Sequence, residues 1–240
     1  MKFKESFMIS IIIPAYNEEE NLVPLTQHLF EVINNLGQES EIIFIDDGST
    51  DKSLTTMQDL RNTYPQIRII KFEHNCGQSA AFDCGFKVAK GDIIITMDAD
   101  LQNDPKDIPR LIEALEDCDM VYGWRRKRQD PPLKLIASRI ANFIRNKLTG
   151  EKIKDVGCSL KAYKRKCLHN LKLYNGMHRF LPTLIKLEGF KVKEIGVSHH
   201  PRKYGKSKYN IRRRLIWPFL DLLAVRWMKK RHLGYRWEEI

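Results

Sequence analysis

Short apolar runs alternate with helix-like segments through the first half of the chain. The apolar runs end in turn or acidic residues and occupy positions 9–13, 41–45, 67–72, 92–97 and 119–122. Segments with helical spacing of apolar residues lie between them, at 22–36, 54–64, 80–89 and 108–115. Continuous apolar runs of this length are typical of strands buried on both faces. The alternation predicts an α/β fold, in which helices cover both faces of a mostly parallel sheet.

Three polar clusters follow the first, second and fourth predicted strands. They occupy residues 14–18, 46–51 and 98–105. In sheets of this class, ligands bind at the carboxyl ends of the strands, where loops and helix starts converge. We therefore expect the three clusters to share one edge of the sheet and to form the functional site.

The cluster at 98–105 has the side chains of a metal site. Asp98, Asp100 and Gln102 alternate along the chain, so in an extended segment they point the same way. Close carboxylates repel each other unless a cation lies between them. Such oxygen ligands suit Mg²⁺ or Mn²⁺, with substrate phosphates completing the coordination. The structural alternative is that Asp100 caps a turn and that Asp104 begins the next helix.

The other two clusters each have a structural and a functional interpretation. Ser49, Thr50 and Asp51 could simply cap the helix that follows. Alternatively, a carboxylate at 46–47 accepts hydrogen bonds from a nucleobase or ribose. Residues 14–18 form a turn by default, or place a carboxylate and an aromatic ring beside a nucleotide pocket.

The charge balance favours anionic partners. The chain has 41 Lys and Arg against 30 Asp and Glu, a formal charge of +11, which suits nucleic acid, anionic lipid or phosphorylated substrates. The excess concentrates at 125–128 and 202–231 without a recognisable nucleic-acid motif. We therefore expect no nucleic-acid partner. The alternative to an enzyme is a basic module that binds a membrane or nucleic acid.

Cysteines and apolar segments bear on the location of the protein. The five cysteines are an odd number without C-x-x-C spacing, which predicts neither a disulfide framework nor a zinc site and fits a reducing compartment. The N-terminus lacks the apolar stretch of a signal peptide, and no run of about 18 apolar residues occurs. We expect a cytoplasmic protein that does not span a membrane.

The clusters, in this order, resemble the family 2 glycosyltransferases with the GT-A fold. The match also includes residues 74–81, 91–94 and 97–102, and the likeness covers roughly residues 8 to 230. Within that family the chain looks most like the dolichyl- and polyprenyl-phosphate sugar transferases, such as the dolichol-phosphate mannosyltransferases. This resemblance implies a nucleotide sugar as donor, Mg²⁺ or Mn²⁺ as cofactor and a lipid-linked phosphate as acceptor.

The resemblance also implies roles for individual residues. Nucleoside and donor contacts fall on Pro14, Tyr16, Glu18, Asp46, Asp47 and Asp98. The metal and diphosphate fall on Asp98, Asp100 and Gln102, with Asp98, Asp100 and Arg125 as the catalytic residues. Lys134, where the family usually has Arg, and Ser138 would help to bind the acceptor phosphate. The segment 155–163 is similar to a stretch that carries Asp and Ser-Gly-Phe in these transferases, which points to Asp155, although Cys158-Ser159-Leu160 departs from that wording.

Residues 198–209 form the candidate acceptor loop. Its cations, hydroxyl groups and glycine suit a phosphate cradle, and it resembles the family's R-x-x-G-x-S-K loop at Arg202, Gly205, Ser207 and Lys208. A solvated basic loop is the alternative. His199 and His200 are adjacent, and adjacent side chains point apart in an extended chain, so we do not expect them to bind a metal together.

Acid–base chemistry favours a phosphate acceptor. A sugar hydroxyl needs a general base, whereas a phosphate monoester, with a second pKa near ~6, is already anionic at neutral pH. Processive family members usually carry Q-x-x-R-W, and here both 223–227 and 233–237 have Leu in place of Gln. We expect metal-dependent, inverting transfer of a hexose from a UDP- or GDP-sugar to a polyprenyl phosphate. Transfer to a hydroxyl of a cell-surface glycan or lipopolysaccharide precursor is the alternative.

The C-terminal stretch 211–231 brackets apolar residues with Arg and Lys. It is either a basic amphipathic helix lying in the lipid headgroup region or a helix packed on the core. The domain prediction is a GT-A domain at 1–209, with a nucleotide-sugar half at 8–128 and an acceptor half at 129–209 that supplies helices and a strand. A membrane-surface segment would follow at 210–240. We expect peripheral attachment to the cytoplasmic face of a membrane, and a homo-oligomer is possible.

Overall fold

A computed structural model describes residues 6–126, 132–151, 153–155, 157–204, 211–233 and 238. Within two helices it describes the backbone but not the side chains of residues 132–139, 141 and 211–216.

Among the described residues, seven strands form a single sheet. They are β1 (Ile9–Ala15), β2 (Ser40–Asp46), β3 (Ile67–Lys71), β4 (Ile93–Thr96), β5 (Met120–Arg125), β6 (Lys161–Lys164) and β7 (Val192–Val197). The spatial order is β3-β2-β1-β4-β6-β5-β7, and every neighbouring pair is parallel except those that involve β6. The expected α/β fold with a mostly parallel sheet is confirmed.

In the described part of the chain, seven α-helices surround the sheet. They are α1 (Glu19–Leu36), α2 (Ser53–Thr63), α3 (Gln78–Val88), α4 (Ile108–Ala114), α5 (Pro132–Thr149), α6 (Leu181–Leu187) and α7 (Ile211–Arg231). Short 3-10 helices occupy Pro105–Asp107, Arg165–Leu168 and Met177–Phe180. The first five strands and first four helices lie where the sequence predicts them.

The continuous apolar runs bury both faces of the sheet. On β1, Ile11 and Ile13 pack into a core with Leu25 of α1. Ile12 points the other way, into a second core with Phe82 of α3. Successive strand residues point to opposite faces, so a strand covered on both sides needs apolar residues at every position.

The second half contains one strand more than expected. Residues 129–209 supply both β6 and β7 rather than a single strand, so that prediction is wrong. Strand β6 runs antiparallel between β4 and β5, and β7 forms the last strand beside β5. Because an edge strand is partly exposed, β7 lacks the continuous apolar run of the central strands.

Helix α7 exists as predicted, and part of it packs on the core. Leu222 and Val225 are buried against the core cluster that contains Phe180. Trp217 and Trp227, on the same helix, are 60 % and 65 % exposed. Apolar side chains therefore face both the protein and the solvent. Among the described helices, none combines the length and apolar character that crossing a bilayer requires.

Candidate active site at the carboxyl ends of the strands

The three polar clusters lie together, as expected. They follow β1, β2 and β4, which are neighbours in the order β2-β1-β4 and run parallel. Their carboxyl ends therefore meet at one edge of the sheet. The elements position the clusters, and side-chain hydrogen bonds fix the loops that carry them.

Side chains of the loop after β2 hold the start of α1. The bonds join Ser49 Oγ to the backbone nitrogen of Asn17 at 3.0 Å, Ser53 Oγ to that of Glu18 at 2.8 Å, and Asp51 Oδ2 to that of Glu19 at 3.3 Å. The first residue before α2 is Lys52, which makes no side-chain cap. Asp51 nevertheless caps α2, because its Oδ1 accepts the backbone N–H of Ser53, the first residue of that helix, at 2.9 Å. The second cluster therefore caps α2 and also holds the start of α1.

Asp47 organises the loop at 74–77. Its carboxylate accepts the backbone N–H groups of Cys76 and Gly77, at 2.7 and 3.0 Å, and the amide of Asn75 at 3.0 Å. Burial raises the pKa of this carboxyl, and the backbone hydrogen bonds oppose the rise. The next residue, Gly48, has to be a glycine, because a Cβ at this position would lie 2.6 Å from the carbonyl carbon of His74. Both oxygens of Asp47 thus have structural partners.

Asp46 differs from Asp47 in keeping one carboxylate oxygen without a protein partner. Its Oδ1 accepts the backbone N–H of Ser49 at 3.0 Å. Its Oδ2 is buried and has no hydrogen-bond partner among the described residues. Pro14 lies in β1 opposite Ile45, and Tyr16 follows, half-buried. The side chains expected beside the nucleoside thus surround the ends of β1 and β2.

The segment at 98–102 bends rather than staying extended. Leu101 has a φ of 60°, in the left-handed region that ordinary residues rarely adopt. The prediction that Asp98, Asp100 and Gln102 alternate along an extended strand is therefore wrong. Burial and, after it, the charge of Asp100 raise the pKa of Asp98 to about 6, so the two carboxylates remain electrostatic neighbours.

Further hydrogen bonds hold Asp98 in place. Its Oδ1 accepts the Gln78 side-chain amide at 2.6 Å. Its backbone N–H donates to Ser159 Oγ at 3.2 Å, and that hydroxyl donates to Asn103 Oδ1 at 2.7 Å. Gln78, Ser159 and Asn103 were not predicted as site residues. Gln78 and Ser159 lie within stretches that carry the family resemblance, but their spacing gives no sign that they touch Asp98.

Asp100 and Asp104 also serve the structural roles given as the alternative. Asp100 Oδ1 accepts the backbone N–H of Gln102 at 3.1 Å, which caps the turn. Asp104 accepts the N–H of Lys106 at 3.0 Å and begins the 3-10 helix Pro105–Asp107. These bonds leave Asp100 Oδ2 for a further partner.

That partner is Arg202. Its Nη2 donates to Asp100 Oδ2 at 2.5 Å, and its Nη1 lies 3.6 Å from Glu18 Oε1. Arg202 was expected to bind an acceptor phosphate, and Glu18 to lie beside the nucleoside. The guanidinium therefore joins the acceptor segment to both the first and the third cluster.

The two residues His199 and His200, shortly before Arg202, contact the acidic cluster at 98–105. The backbone N–H of His200 donates to the carbonyl of Gln102 at 2.9 Å, and Asn103 forms an isolated β-bridge with His199. The two histidines point apart, as expected, since His199 is buried and His200 pairs with Asp104 at 3.1 Å. Residues about 100 positions apart in the sequence therefore lie side by side at this site.

Arg125 forms a bidentate ion pair with Asp155. Its Nε lies 2.6 Å from Oδ2, and its Nη2 lies 2.9 Å from Oδ1. The sequence pointed to each residue but not to the pair. Both side chains are largely buried, and the charge of Arg125 reaches Asp98, whose pKa it lowers. Arg125 thus lies at the edge of the metal cluster.

Several expected acceptor residues cannot be placed. Lys134 and Ser138 lie on α5, but their side chains are outside the described part of the structure. Gly205, Ser207 and Lys208 lie outside the described residues. Their roles stay predictions.

The residues present fit the expected metal ion if the protein and the substrate phosphates share its coordination. Among the described residues, no group of three or more His, Cys, Asp or Glu side chains is arranged to hold a metal. Asp98 and Asp100 are two carboxylates close enough to raise the pKa of Asp98, and a divalent cation between them would remove that repulsion. Two carboxylates leave positions that substrate phosphates fill in Mg²⁺ and Mn²⁺ sites.

Comparisons with known proteins agree with this geometry. The family model for Glycosyl transferase family 2 matches residues 10–172. The dodecaprenyl-phosphate galacturonate synthase of Rhizobium johnstonii is 39 % identical over 229 residues, which cover 92 % of this chain and 67 % of that protein. The undecaprenyl-phosphate 4-deoxy-4-formamido-L-arabinose transferase of Photorhabdus laumondii is 40 % identical over 226 residues, with coverages of 93 % and 69 %. The chain spans about two thirds of the length of these relatives.

Two solved structures show the same fold. The glucosyl-3-phosphoglycerate synthase of Mycobacterium tuberculosis, in complex with Mn²⁺, UDP and phosphoglyceric acid, has a TM-score of 0.64 and 20 % identity, covering 95 % of this chain and 80 % of that one. The mannosyltransferase PcManGT of Pyrobaculum calidifontis, in complex with GDP-Man and Mn²⁺, has a TM-score of 0.64 and 19 % identity, with coverages of 97 % and 66 %. These likenesses establish the expected GT-A fold.

Proposed function

Because the chain belongs to glycosyl transferase family 2 and is a glycosyltransferase, we propose that it transfers a sugar from a nucleotide sugar to a polyprenyl phosphate. The names of two relatives, a dodecaprenyl-phosphate galacturonate synthase and an undecaprenyl-phosphate 4-deoxy-4-formamido-L-arabinose transferase, support a polyprenyl phosphate as acceptor. The observation that carries the proposal is the position of Arg202 at the acidic cluster.

Arg202 brings a cation to the place where donor and acceptor must meet. Its guanidinium contacts Asp100, in the proposed metal site, and lies near Glu18, at the proposed nucleoside site. A phosphate acceptor is already anionic at neutral pH, so it needs a cation to bind it rather than a base to deprotonate it. Arginine suits this task because its planar guanidinium binds phosphate oxygens in a bidentate manner.

The donor half of the proposal uses the three strand-end clusters. Asp98, Asp100 and Gln102 would hold Mg²⁺ or Mn²⁺, which supplies Lewis-acid stabilisation of the leaving diphosphate. The nucleoside, uridine or guanosine, would lie beside Tyr16 and Asp46. Arg125, close enough to lower the pKa of Asp98, adds positive charge on the same side.

The proposed reaction needs no general base. The acceptor phosphate oxygen attacks the anomeric carbon on the side opposite the nucleoside diphosphate, which leaves with the electron pair of its carbon–oxygen bond. Configuration at the anomeric carbon inverts. We propose a hexose as the sugar transferred. The galacturonate and arabinose derivatives in the relatives' names extend the range of donors to be tested.

A paired acceptor assay tests this function. Purified protein is incubated with Mn²⁺ and UDP- or GDP-sugars, together with either undecaprenyl phosphate or undecaprenol, which lacks only the phosphate. We expect Mn²⁺-dependent sugar transfer to the phosphate and none to the alcohol, because the site offers cations rather than a base. Transfer to a hydroxyl of a lipopolysaccharide precursor, with none to the phosphate, would instead support the alternative acceptor.

We also propose that the outer face of α5 and α7 rests on the cytoplasmic surface of a membrane. Exposed apolar side chains concentrate there: Ile140, Phe143, Ile144, Trp217, Phe219, Leu220, Leu223 and Trp227. Arg226, Lys229, Lys230 and Arg231 lie at the end of α7. Tryptophan beside basic residues is typical of helices in the headgroup region of anionic membranes.

Vesicle flotation tests the membrane surface. Replacing both exposed tryptophans, Trp217→Ser with Trp227→Ser, should reduce binding to vesicles containing anionic lipid, because these rings would enter the interface. Val23→Ser, which changes an exposed apolar residue on α1, serves as the matched control. If the native protein does not float, or if the tryptophan variant floats equally well, this surface does not bind membranes. Its alternative role is then contact between copies of the chain.

A further inference from the structure

A lysine lies almost completely buried beneath the site. Lys161, the first residue of β6, is 3 % exposed. It stands in the middle of the sheet, opposite Thr96 of β4 and Tyr122 of β5. Lysine is rarely buried unless its charge has a partner, because desolvating an ammonium is costly. The sequence offers no sign of this placement, because the family resemblance of the segment 155–163 gives Lys161 no role.

Among the residues that the structure describes, the Lys161 ammonium has no direct partner. Its nitrogen takes part in none of the side-chain hydrogen bonds or ion pairs among the described residues. It is also not among the buried side-chain atoms without a hydrogen-bond partner, so the nitrogen keeps some contact with solvent. Arg125, nearby, differs because Asp155 neutralises it through two hydrogen bonds.

Lys161 lies close to the acidic cluster, because it pairs in the sheet with Thr96, two residues before Asp98. Its charge lowers the pKa of Asp98, so the two groups are electrostatic neighbours. On its other side, Lys161 lowers the pKa of His178, after the larger effects of burial and Arg179. The His178 ring bonds Ser79 Oγ at 2.7 Å, in the first turn of α3. The ammonium therefore lies between the acidic cluster and the start of α3.

We propose that Lys161 is a further substrate-binding residue, whose ammonium binds a phosphate oxygen when substrate enters the site. A buried cation without a partner among the described residues is suited to an anion that arrives with the ligand, and lysine acts as a compact point charge for phosphate. The phosphate belongs either to the donor's diphosphate or to the acceptor. The assignment to these two substrates rests on the proposed function.

The substitution Lys161→Met tests this role. Methionine has a similar length and removes a buried charge, so the variant is expected to fold. Lys164→Met, the same substitution at the other end of β6, is the matched control. Lys161→Arg keeps the charge and serves as a second variant if the methionine variant unfolds.

The first measurement is calorimetry in the presence of Mn²⁺, which reports how tightly the nucleotide part of the donor binds. UDP and GDP are compared with uridine and guanosine, which lack the phosphates. If Lys161 binds the diphosphate, Lys161→Met should weaken nucleoside diphosphate binding by roughly tenfold or more, the loss typical of a hydrogen bond to a charged group. Nucleoside binding should be unchanged, and Lys161→Arg should bind more tightly than Lys161→Met.

The acceptor arm uses steady-state transfer to undecaprenyl phosphate. If Lys161 binds the acceptor, Lys161→Met should raise the KM for that lipid by a similar factor with diphosphate binding intact. The proposal is overturned if diphosphate binding and KM both match those of Lys164→Met, or if nucleosides and diphosphates weaken equally, which would indicate a structural role. The calorimetric arm remains informative even when undecaprenyl phosphate is not a substrate.

Discussion

Replacing Asp100 by asparagine is expected to lower sugar transfer by about a thousandfold or more while the protein stays folded. The asparagine side chain can still accept the backbone N–H of Gln102, which caps the turn at this position. It cannot supply the negative charge that a divalent metal needs beside Asp98. Losing a group that stabilises developing charge in a transition state typically costs about 10²- to 10³-fold, and here the metal itself would be bound poorly.

Two measurements separate chemistry from folding in the Asp100→Asn variant. Initial rates with Mn²⁺ report transfer, and electron paramagnetic resonance of free Mn²⁺ reports metal binding directly. Asp83→Asn is the matched control, because Asp83 forms a surface ion pair with Lys87 on α3, and such pairs contribute little to stability. If Asp100→Asn retains Mn²⁺-dependent transfer near the native rate, the proposed metal site is wrong.

The strands that the sequence reveals are those whose position in the sheet demands apolar residues throughout. Strands β1, β2 and β4 are covered on both faces, so each is a continuous apolar run. Strand β6 begins and ends with lysine, one of which is the buried Lys161. Strand β7 is an edge strand with half-exposed residues. Their local sequences therefore lack the signal that identifies the central strands.

The strand ends can be located from sequence, but their contacts cannot. Parallel strands must end at one edge, so the meeting of the three clusters follows from topology. Arg202 and Asp100 are 102 positions apart, and Arg125 and Asp155 are 30 apart. Those pairs depend on how β7 and the segment before β6 pack, which no local pattern records.

The two aspartates at 46–47 illustrate the same limit. The family resemblance assigns both residues to the donor. In the fold, Asp47 uses its two oxygens to hold the loop at 74–77, and Asp46 retains an oxygen without a described partner. Which of two adjacent carboxylates organises a loop depends on the direction of each side chain. A resemblance between motifs does not contain that information.

Replacing Arg202 by methionine should change metal binding and transfer in opposite directions. In the donor-free protein, the guanidinium contacts Asp100 Oδ2, where a metal ion would need the same carboxylate. A divalent cation must therefore bind against the repulsion of a neighbouring positive charge. Removing that charge should tighten Mn²⁺ binding to the donor-free protein by roughly three- to tenfold. Transfer should nevertheless fall by about a hundredfold, because the acceptor phosphate loses its cation.

Both effects can be measured on the same preparation. Electron paramagnetic resonance gives the Mn²⁺ affinity without donor, and steady-state kinetics give the KM for undecaprenyl phosphate. Lys203→Met is the matched control, because Lys203 is an exposed neighbour and makes no ion pair among the described residues. Weaker Mn²⁺ binding in Arg202→Met would contradict competition at Asp100. Opposite changes would show that Arg202 balances the acidic cluster before the metal and donor arrive, and that the same guanidinium then serves the acceptor.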